Sequence, residues 1–439
     1  MADLTVGDEV TVDVGPIAHG GHCIARHDGR VLFVRHTLPG ERVVARITEG
    51  GDGDRFLRAD AVAVLTLSPD RVAPPCRFSG PGGCGGCGGC DFQHVSVPAQ
   101  RDLKAAVVRE QFARLARLDV DVTVEPVPGD ADGLRWRTRT EFAVDAAGVP
   151  GMRPHRSHAI LPIDDCLIAT DPVASALSSP YAGCSAVDVV APSVGERVVV
   201  ELPLGEGELV PTVTERVAAQ RLVADFEVSA RGFWQVHPGA AATFVDVALD
   251  LLGPQAGETV LDLYCGVGVF AAAFARAVGE SGRVIAVESD STAVDRARVN
   301  LAAAAGEPVA GVALVRARVD DFFGVLRPKR KGPGQRRPPR TARRHPLAPP
   351  RADRVLLDPP RTGAGREVIG AVTALQPQRL VYVACDPAAL ARDTAYLADG
   401  GYELVGLRAF DAFPMTHHVE CIALFEPVLE PNLQPLPPA

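Results

Sequence analysis

After about residue 238 the chain alternates short apolar runs with helix-forming stretches, and this leaves few folds open. TVLDLYC is followed by FAAAFARAVG, RVIAVE by STAVDRARVNLAAAA, and VALVRARV, RVLLDPP and LVYVAC supply further strands. Strands and helices alternating at these lengths predict an α/β domain: a mainly parallel sheet with helices on both faces. Such sheets bind ligands beyond the carboxyl ends of their strands, so those ends are where chemistry is to be read.

Three strand ends, besides the Glu288 end of RVIAVE, carry unusual residues. In VLDLYCGVGVF (260–270), Gly266 and Gly268 follow a strand and precede a helix, a turn that lets a ligand approach the backbone. The next strand ends in Glu288, where a carboxylate can accept both ribose hydroxyls of a nucleoside. Ala271 occupies the third position of the pyrophosphate motif G-x-G-x-x-G, which leaves room for a cofactor without a diphosphate; S-adenosylmethionine is the obvious one. In LLDPPRTGAG (356–365) the prolines stiffen the turn and fix Asp358 near the cofactor's reactive end. Asn-Pro-Pro-aromatic turns bind a planar amino group; here Arg361 stands in the aromatic position, which counts against an exocyclic amine as target.

The third strand end is VYVACDPAALA (381–391). Asp386 is suited to cap the following helix and Pro387 to its first turn, so Cys385 is expected near the positive end of a helix dipole that favours a thiolate, with Asp386 opposing this. A cysteine in isolation is more often a small buried hydrophobe, but this one shares a sheet edge with the glycine turn and Asp358. Further on, FPMTHHVECIALFEP places Glu420 just before an apolar strand, where it could serve as a general base, while His417 and His418 beside it suit packing or RNA contacts.

The rest of the chain reads differently. Residues 1–70 alternate valines with polar residues between glycine-rich turns and predict a small β-barrel; 71–238 mix strand-like and turn-like pieces into an α+β central domain; 239–430 form the α/β domain. Ten cysteines include a tight group, Cys76, Cys84, Cys87 and Cys90, which argues for a metal site over a disulfide framework. Net charge is −9, yet 327–354 alone carries +10 and leaves −19 for the remainder, so a nucleic-acid surface must be local. That basic stretch has no apolar periodicity and is expected as a disordered insertion, either solvated or an RNA-contacting arm. With no apolar run of membrane length and no signal-peptide pattern in MADLTVGDEV, the expected location is the cytoplasm, as a monomer and with no membrane partner.

Taken in order, LPGERV, CGGCDFQH, RGFWQVHP, DLYCGVGVF, DPPRTG, YVACDPAALARD and FPMTHHVE resemble the S-adenosylmethionine-dependent RNA (uracil-5-)methyltransferases with an N-terminal TRAM domain and an iron–sulfur cluster. The resemblance implies a TRAM/OB-like barrel, a Rossmann-like class I methyltransferase domain, and 5-methyluridine formation in RNA. Ribosomal RNA is the expected substrate and transfer RNA the alternative; a non-catalytic RNA-binding or assembly protein would be a different class. By the same resemblance Cys385 is the nucleophile, needed because carbon 5 of uracil is too poor a nucleophile until a thiolate adds at carbon 6, and Glu420 is the base that removes the carbon 5 proton.

Gln235, Tyr264, Gly266, Gly268, Glu288 and Asp358 match cofactor-binding positions; Phe233 lies where an aromatic can flank the site, and Asp320 or Asp321 could contact the adenine. Two departures stand out: Asp386 where the family often has Asn, and Val269 where Asn often follows the second glycine. Cys76, Cys87, Cys90 and the distant Cys166 match the ligands of a [4Fe-4S] cluster, with Cys84 as alternative or spare; a zinc site would accept the same thiols. For RNA, the barrel and a basic set of Arg135, Arg137, Arg139, Arg153 and Arg156 are the expected contacts, with the uracil swung out of its stack to reach Cys385.

Overall fold

The structure, a computed structural model, describes residues 4–51, 53–80, 86–304, 311–325 and 343–428. Cys84 and the part of the basic stretch from 326 to 342 lie outside them.

Five strands, β1 (Glu9–Ala18), β2 (His22–His27), β3 (Arg30–Arg35), β4 (Arg42–Glu49) and β5 (Phe56–Thr66), close into a barrel in the order β1-β2-β3-β5-β4. Their alternation sets Val12, Leu32, Val34, Val43 and Leu57 inside, where they form one apolar core. Closure removes the free edges that a five-stranded sheet would otherwise leave.

Helix α1 (Val97–Gln111) and strand β6 (Val124–Pro126) come next. The central region holds a five-stranded sheet of β7 (Arg139–Val144), β8 (Pro150–Met152), β9 (Leu161–Pro162), β10 (Ala186–Val190) and β11 (Val198–Leu202), the short helix α2 (Asp171–Ala174), and a hairpin of β12 (Thr212–Ala219) and β13 (Leu222–Ser229).

The C-terminal region runs α3 (Ala240–Leu252), β14 (Thr259–Leu263), α4 (Val269–Val278), β15 (Arg283–Glu288), α5 (Ser291–Ala304), β16 (Val312–Arg316), α6 (Val319–Phe323), β17 (Arg354–Leu357), α7 (Arg366–Thr373), β18 (Arg379–Ala384), α8 (Pro387–Asp399), β19 (Tyr402–Asp411) and β20 (Glu420–Pro427). Its eight-stranded sheet has the order β16-β15-β14-β17-β18-β20-β19-β6; the first five strands are parallel, and β20 is antiparallel to both β18 and β19. Each strand serves both faces: Val260, Val284 and Ala286 pack with Phe244 and Phe274 of α3 and α4, while Leu261, Ile285 and Val287 pack with Val368 and Leu390 of α7 and α8. This is the Rossmann-like class I architecture that the strand and helix alternation predicts.

Two elements from the region expected to be central belong to this sheet instead. β6 pairs in parallel with β19, and Val108 of α1, with Phe112 just after it, packs into the core shared with α7 and α8. Chain order reverses at β14, whose neighbours are β15 on one side and β17 on the other, so the glycine turn after β14 lies at a topological switch point. Among the described residues no helix is long and apolar enough to cross a membrane.

Candidate active site

The glycine turn is held open by its own backbone. Tyr264, Gly266 and Gly268 all have positive φ, and a β-carbon on Gly266 would meet nothing within 4 Å, so there is space above it for a ligand. Gly268 is different: a β-carbon there would stand 3.3 Å from Leu301 Cγ, which makes it the close-packing glycine between α4 and α5. The Gly266 N–H donates to Glu288 Oε2 (3.0 Å) and the Asp290 N–H to Oε1 (2.8 Å), so the turn and the end of β15 are tied into one rim.

Beneath that rim lies a residue that sequence reading passed over. Asp262, on β14, is fully buried and both carboxylate oxygens lack a hydrogen-bond partner among the described residues. Burial, and then the charge of Asp358, push its pKa up to about 8; burial and Glu288 push Asp358 up to about 7. Buried acids without partners are costly unless a ligand supplies the missing donors or positive charge. The only signal in the sequence was an acid inside an otherwise apolar strand.

Cys385 follows β18, and Asp386 caps α8 by accepting the Ala389 N–H at 2.7 Å, with Pro387 in the first turn. The β18–β20 ladder ends with Val383 opposite Ile422 and Ala384 opposite Cys421; Cys385 follows and Glu420 precedes that last pair, near enough for the Glu420 charge to act on the sulfur. Two residues 35 positions apart are thereby brought near each other. Glu420 is 3% exposed, and burial followed by Asp358 raises its pKa well above the carboxylate range, with Arg361 opposing.

The expectation of a thiolate favoured by the helix dipole does not hold for the free protein. Burial and then the Glu420 charge push Cys385 up to about 11, against the lowering effect of Arg361. The dipole acts only over the first turn of α8, whereas burial and three acids, Glu420, Asp358 and Asp386, all oppose ionisation of the sulfur.

Cys385, Asp386 and Pro387 line a cavity of about 150 Å³ with His19, Gly20 and Gly21 of the barrel, Lys104 of α1, Arg361, His417 and His418. Barrel and catalytic region therefore share one pocket. His19 Nε2 stands 3.1 Å from Asp386 Oδ2, a contact that raises the imidazole pKa and lowers that of the carboxyl against its burial. Lys104, completely buried, bonds Asp411 at 2.5 Å and the Phe413 carbonyl at 3.0 Å. Neither link was anticipated; each joins segments far apart in sequence.

The cysteine segment holds the loop that leads into Glu420. The Asp91 and Phe92 N–H groups both donate to the Met415 carbonyl at 3.0 Å, Gln100 Oε1 accepts the Met415 N–H at 2.7 Å, and Asp91 Oδ2 meets His417 Nδ1 at 2.5 Å. Cys76, Cys87, Cys90 and Cys166 are near enough for their charges to act on one another, and burial together with these neighbours pushes Cys87 up to about 11. The Gly89 N–H and Gln93 Nε2 donate to the sulfurs of Cys87 (3.5 Å) and Cys90 (3.4 Å). Even so, among the described residues no three His, Cys, Asp or Glu side chains stand at metal-holding geometry.

Other expected residues lie apart from the pocket or are already engaged. Gln235 is half-buried in the loop before α3, and Phe233 is 77% exposed. Asp320 is buried and paired with Arg318 at 3.0 Å, whereas Asp321 is exposed. The arginine set does not form a free basic surface, because carboxylates take its charges: Arg135 pairs with Asp165 (2.8 Å), Arg139 is buried against Glu215 (2.7 Å), Arg153 faces Glu141 (3.9 Å), and Arg156 bonds Glu49. Arg137 is the exception; burial lowers its pKa, and nearby Cys166 and Cys90 only partly oppose this.

Comparison with known proteins agrees with this architecture. The family profile described as tRNA (Uracil-5-)-methyltransferase matches residues 185–428, more than half of the chain, and the TRAM domain profile matches 3–62. An uncharacterized RNA methyltransferase of Streptomyces coelicolor is 45% identical, covering 96% of this chain and 93% of its own; one from Streptomyces avermitilis is 44% identical, covering 96% and 99%. The crystal structure of Pyrococcus abyssi tRNA (uracil-54, C5)-methyltransferase in complex with S-adenosyl-L-homocysteine superposes with a TM-score of 0.64 at 20% identity, covering 94% of this chain and all of that one, a likeness of fold. A barrel docked on a Rossmann-like sheet, with a profile match through the sheet and near-full-length relatives, places this chain in the tRNA (uracil-5-)-methyltransferase family, as a TRAM-containing enzyme that methylates carbon 5 of uracil in RNA with S-adenosylmethionine.

Proposed function

We propose that Cys385 and Glu420 carry the reaction, and that a uridine of transfer RNA is its substrate. The observation that supports the assignment is the end of the β18–β20 ladder at Ala384 and Cys421, the residues next to Cys385 and Glu420, together with the action of the Glu420 charge on the sulfur. Tyr264, Gly266, Gly268, Glu288 and Asp358 would hold S-adenosylmethionine, with Gln235 as a further contact; the open space over Gly266 and the unpartnered oxygens of Asp262 fit a cationic nucleoside. Bound there, the cofactor supplies an electrophilic methyl group on a positively charged sulfur.

The protein's own groups do the rest. A cation beside the acids favours ionised Asp358 and Glu420, reversing the upward shifts of the free protein. Cys385 gives up its proton to solvent in the pocket, and the thiolate bonds carbon 6 of the uracil, so that the ring electrons move onto carbon 5 and O4. Once carbon 5 has been methylated, Glu420 takes the proton left there, the double bond re-forms, and the sulfur departs. Asp386 fixes the start of α8 on which Cys385 sits.

Transfer RNA is favoured over the ribosomal RNA expected above by the name of the matching family and by the printed substrate of the structural neighbour. Cys76, Cys87, Cys90 and Cys166 would hold a [4Fe-4S] cluster: four thiols within charge range, two N–H···S bonds and the Arg137 guanidinium suit a negatively charged group. The cluster's contribution would be to keep the Cys90–His94 segment in place.

Mass-spectrometric mapping of 5-methyluridine in RNA from cells with and without the gene tests the substrate. A methyl group lost from one transfer RNA position is expected; loss from ribosomal RNA alone would overturn the choice of RNA. RNA containing 5-fluorouridine should become covalently joined to the protein, and Cys385→Ala should abolish both this adduct and turnover. Full turnover in that variant would remove Cys385 from the mechanism.

A further inference from the structure

The barrel carries a row of rings on its outer face that its own core does not use. The alternation that buries Cys23, Leu32, Val34 and Leu57 turns His22, Phe33 and Phe56 outward from β2, β3 and β5. Their centroids are 4.7 Å apart from His22 to Phe33 and 5.2 Å from Phe33 to Phe56, with ring planes turned by 69° and 70°. The guanidinium of Arg58 lies 5.9 Å and 5.5 Å from the two phenylalanine centroids. Phe56 is 43% exposed, and His22 and Phe33 are partly buried, each keeping some surface open to solvent. Single exposed apolar residues need no explanation, but a contiguous row with a cation over it does.

The row begins where the pocket ends. Gly20 and Gly21, immediately before His22, line the cavity that holds Cys385. A β-carbon on Gly21 would stand 2.7 Å from His417 Cβ, and one on Gly20 would stand 3.1 Å from His22 Cε1. Burial and the neighbouring Arg58 push His22 down to about 4, so at neutral pH it presents an uncharged ring. Nearby charges are largely matched, Arg58 by Glu49 at 3.4 Å and Arg35 by Asp60 at 4.0 Å, which makes flat aromatic surface, rather than unpaired positive charge, the distinctive chemistry of this face.

We propose that His22, Phe33 and Phe56 form a stacking track for unpaired nucleobases next to the uridine held at Cys385. The proposal rests on the RNA methyltransferase reading and names the form of RNA that the enzyme takes: single-stranded on one side of the target, for about two or three nucleotides, as aromatic platforms of this size accept. Bases in a duplex are stacked on each other and cannot use the rings. Because every base has a π face, the track tolerates sequence while the pocket selects the uracil.

The test uses the full-length protein, an unpaired oligouridine and a paired duplex as binding probes, and methyl transfer to the mapped RNA. The double variant Phe33→Leu with Phe56→Leu keeps apolar bulk without a flat face. It should weaken oligouridine binding at least about fivefold and raise KM similarly, since stacking of one base contributes that much or more, with kcat at saturation and duplex binding unchanged. Phe33→Tyr with Phe56→Tyr should restore wild-type binding. Wild-type oligouridine affinity in a folded Leu variant, judged by its melting curve, would overturn the track, as would equal weakening towards duplex. If the wild-type protein binds oligouridine through these rings but forms no 5-methyluridine in any RNA, the functional reading fails and the track stands.

Discussion

At the carboxyl edge of the sheet Asp262 is fully buried with neither oxygen partnered, whereas on the wall facing the barrel the charged groups come in pairs: His19 with Asp386, Lys104 with Asp411, His417 with Asp91. The first arrangement raises the energy of the free protein and is relieved by a cation; in the second, each charge already has a counter-charge that offsets its desolvation. The sheet edge is thus set up for something that arrives, and the opposite wall for segments already present. Strand ends give the former, because a parallel sheet fixes them independently of the rest of the chain. The latter exists only when barrel, cysteine segment and sheet have docked.

The largest effect that would test this contrast is at Glu420, where the two sides meet. Glu420→Gln should lower turnover by about 10²- to 10⁴-fold, the usual range for loss of a general base, while the protein–RNA adduct accumulates because sulfur can still add. Denaturing gels with labelled RNA would show it. A slow variant that forms no adduct would mean that Glu420 acts before addition, in taking the thiol proton.

A smaller effect is expected at Asp262. Its pKa lies near 8 in the folded state and near the ordinary carboxylate value of about 3.9 when unfolded, so between those values the unfolded chain binds fewer protons and stability falls as pH rises. Asp262→Asn should flatten that fall in the free protein, by about 2–4 °C in melting temperature for each kcal/mol recovered, and should weaken the stabilisation given by added S-adenosylmethionine. If the variant melts lower at pH 8 than wild type, the carboxyl is not strained at rest and the contrast between the two walls disappears.

The smallest effect belongs to the His19–Asp386 pair. The imidazole pKa is raised, so its contribution is complete below about 6.5 and is lost as pH rises through the raised value; the carboxyl pKa is lowered, so its contribution is present above about 3.9 and is lost as pH falls through the lowered value. Docking should be tightest in the mildly acidic window between. His19→Ala should cost about 0.2–1 kcal/mol, as partly exposed pairs do. Asp386→Asn, an equally good helix cap, should make that cost vanish in a double-mutant cycle read by urea unfolding. Additive costs would show that the contact contributes nothing to docking.

The same division governs what could be read from the sequence. The alternating periods of the C-terminal strands and helices and the turn chemistry of DLYCGVG, LLDPP and VACDP are local, so the sheet and the residues at its edge were legible. The paired wall was not, because His19, Asp91, Lys104 and Asp411 acquire meaning only from residues hundreds of positions away. β6 joined the sheet edge for the same reason: three residues carry no period of their own. Cys385 shows the limit of local reasoning from the other direction. Its helix dipole could be inferred, but the burial that raises its pKa, and the Glu420 charge that adds to it, come from tertiary packing.

One consequence follows from the two N–H groups that grip the Met415 carbonyl. Met415 precedes Glu420 by only five residues, so whatever keeps Asp91 and Phe92 ordered also aims the proton acceptor. If Glu420 is the base proposed above, loosening that stretch would misplace its carboxylate while leaving the glycine rim, which is built from β14 and β15, untouched. On the proposed roles, order in the Asp91–Phe92 stretch and release of product would be coupled through this one loop.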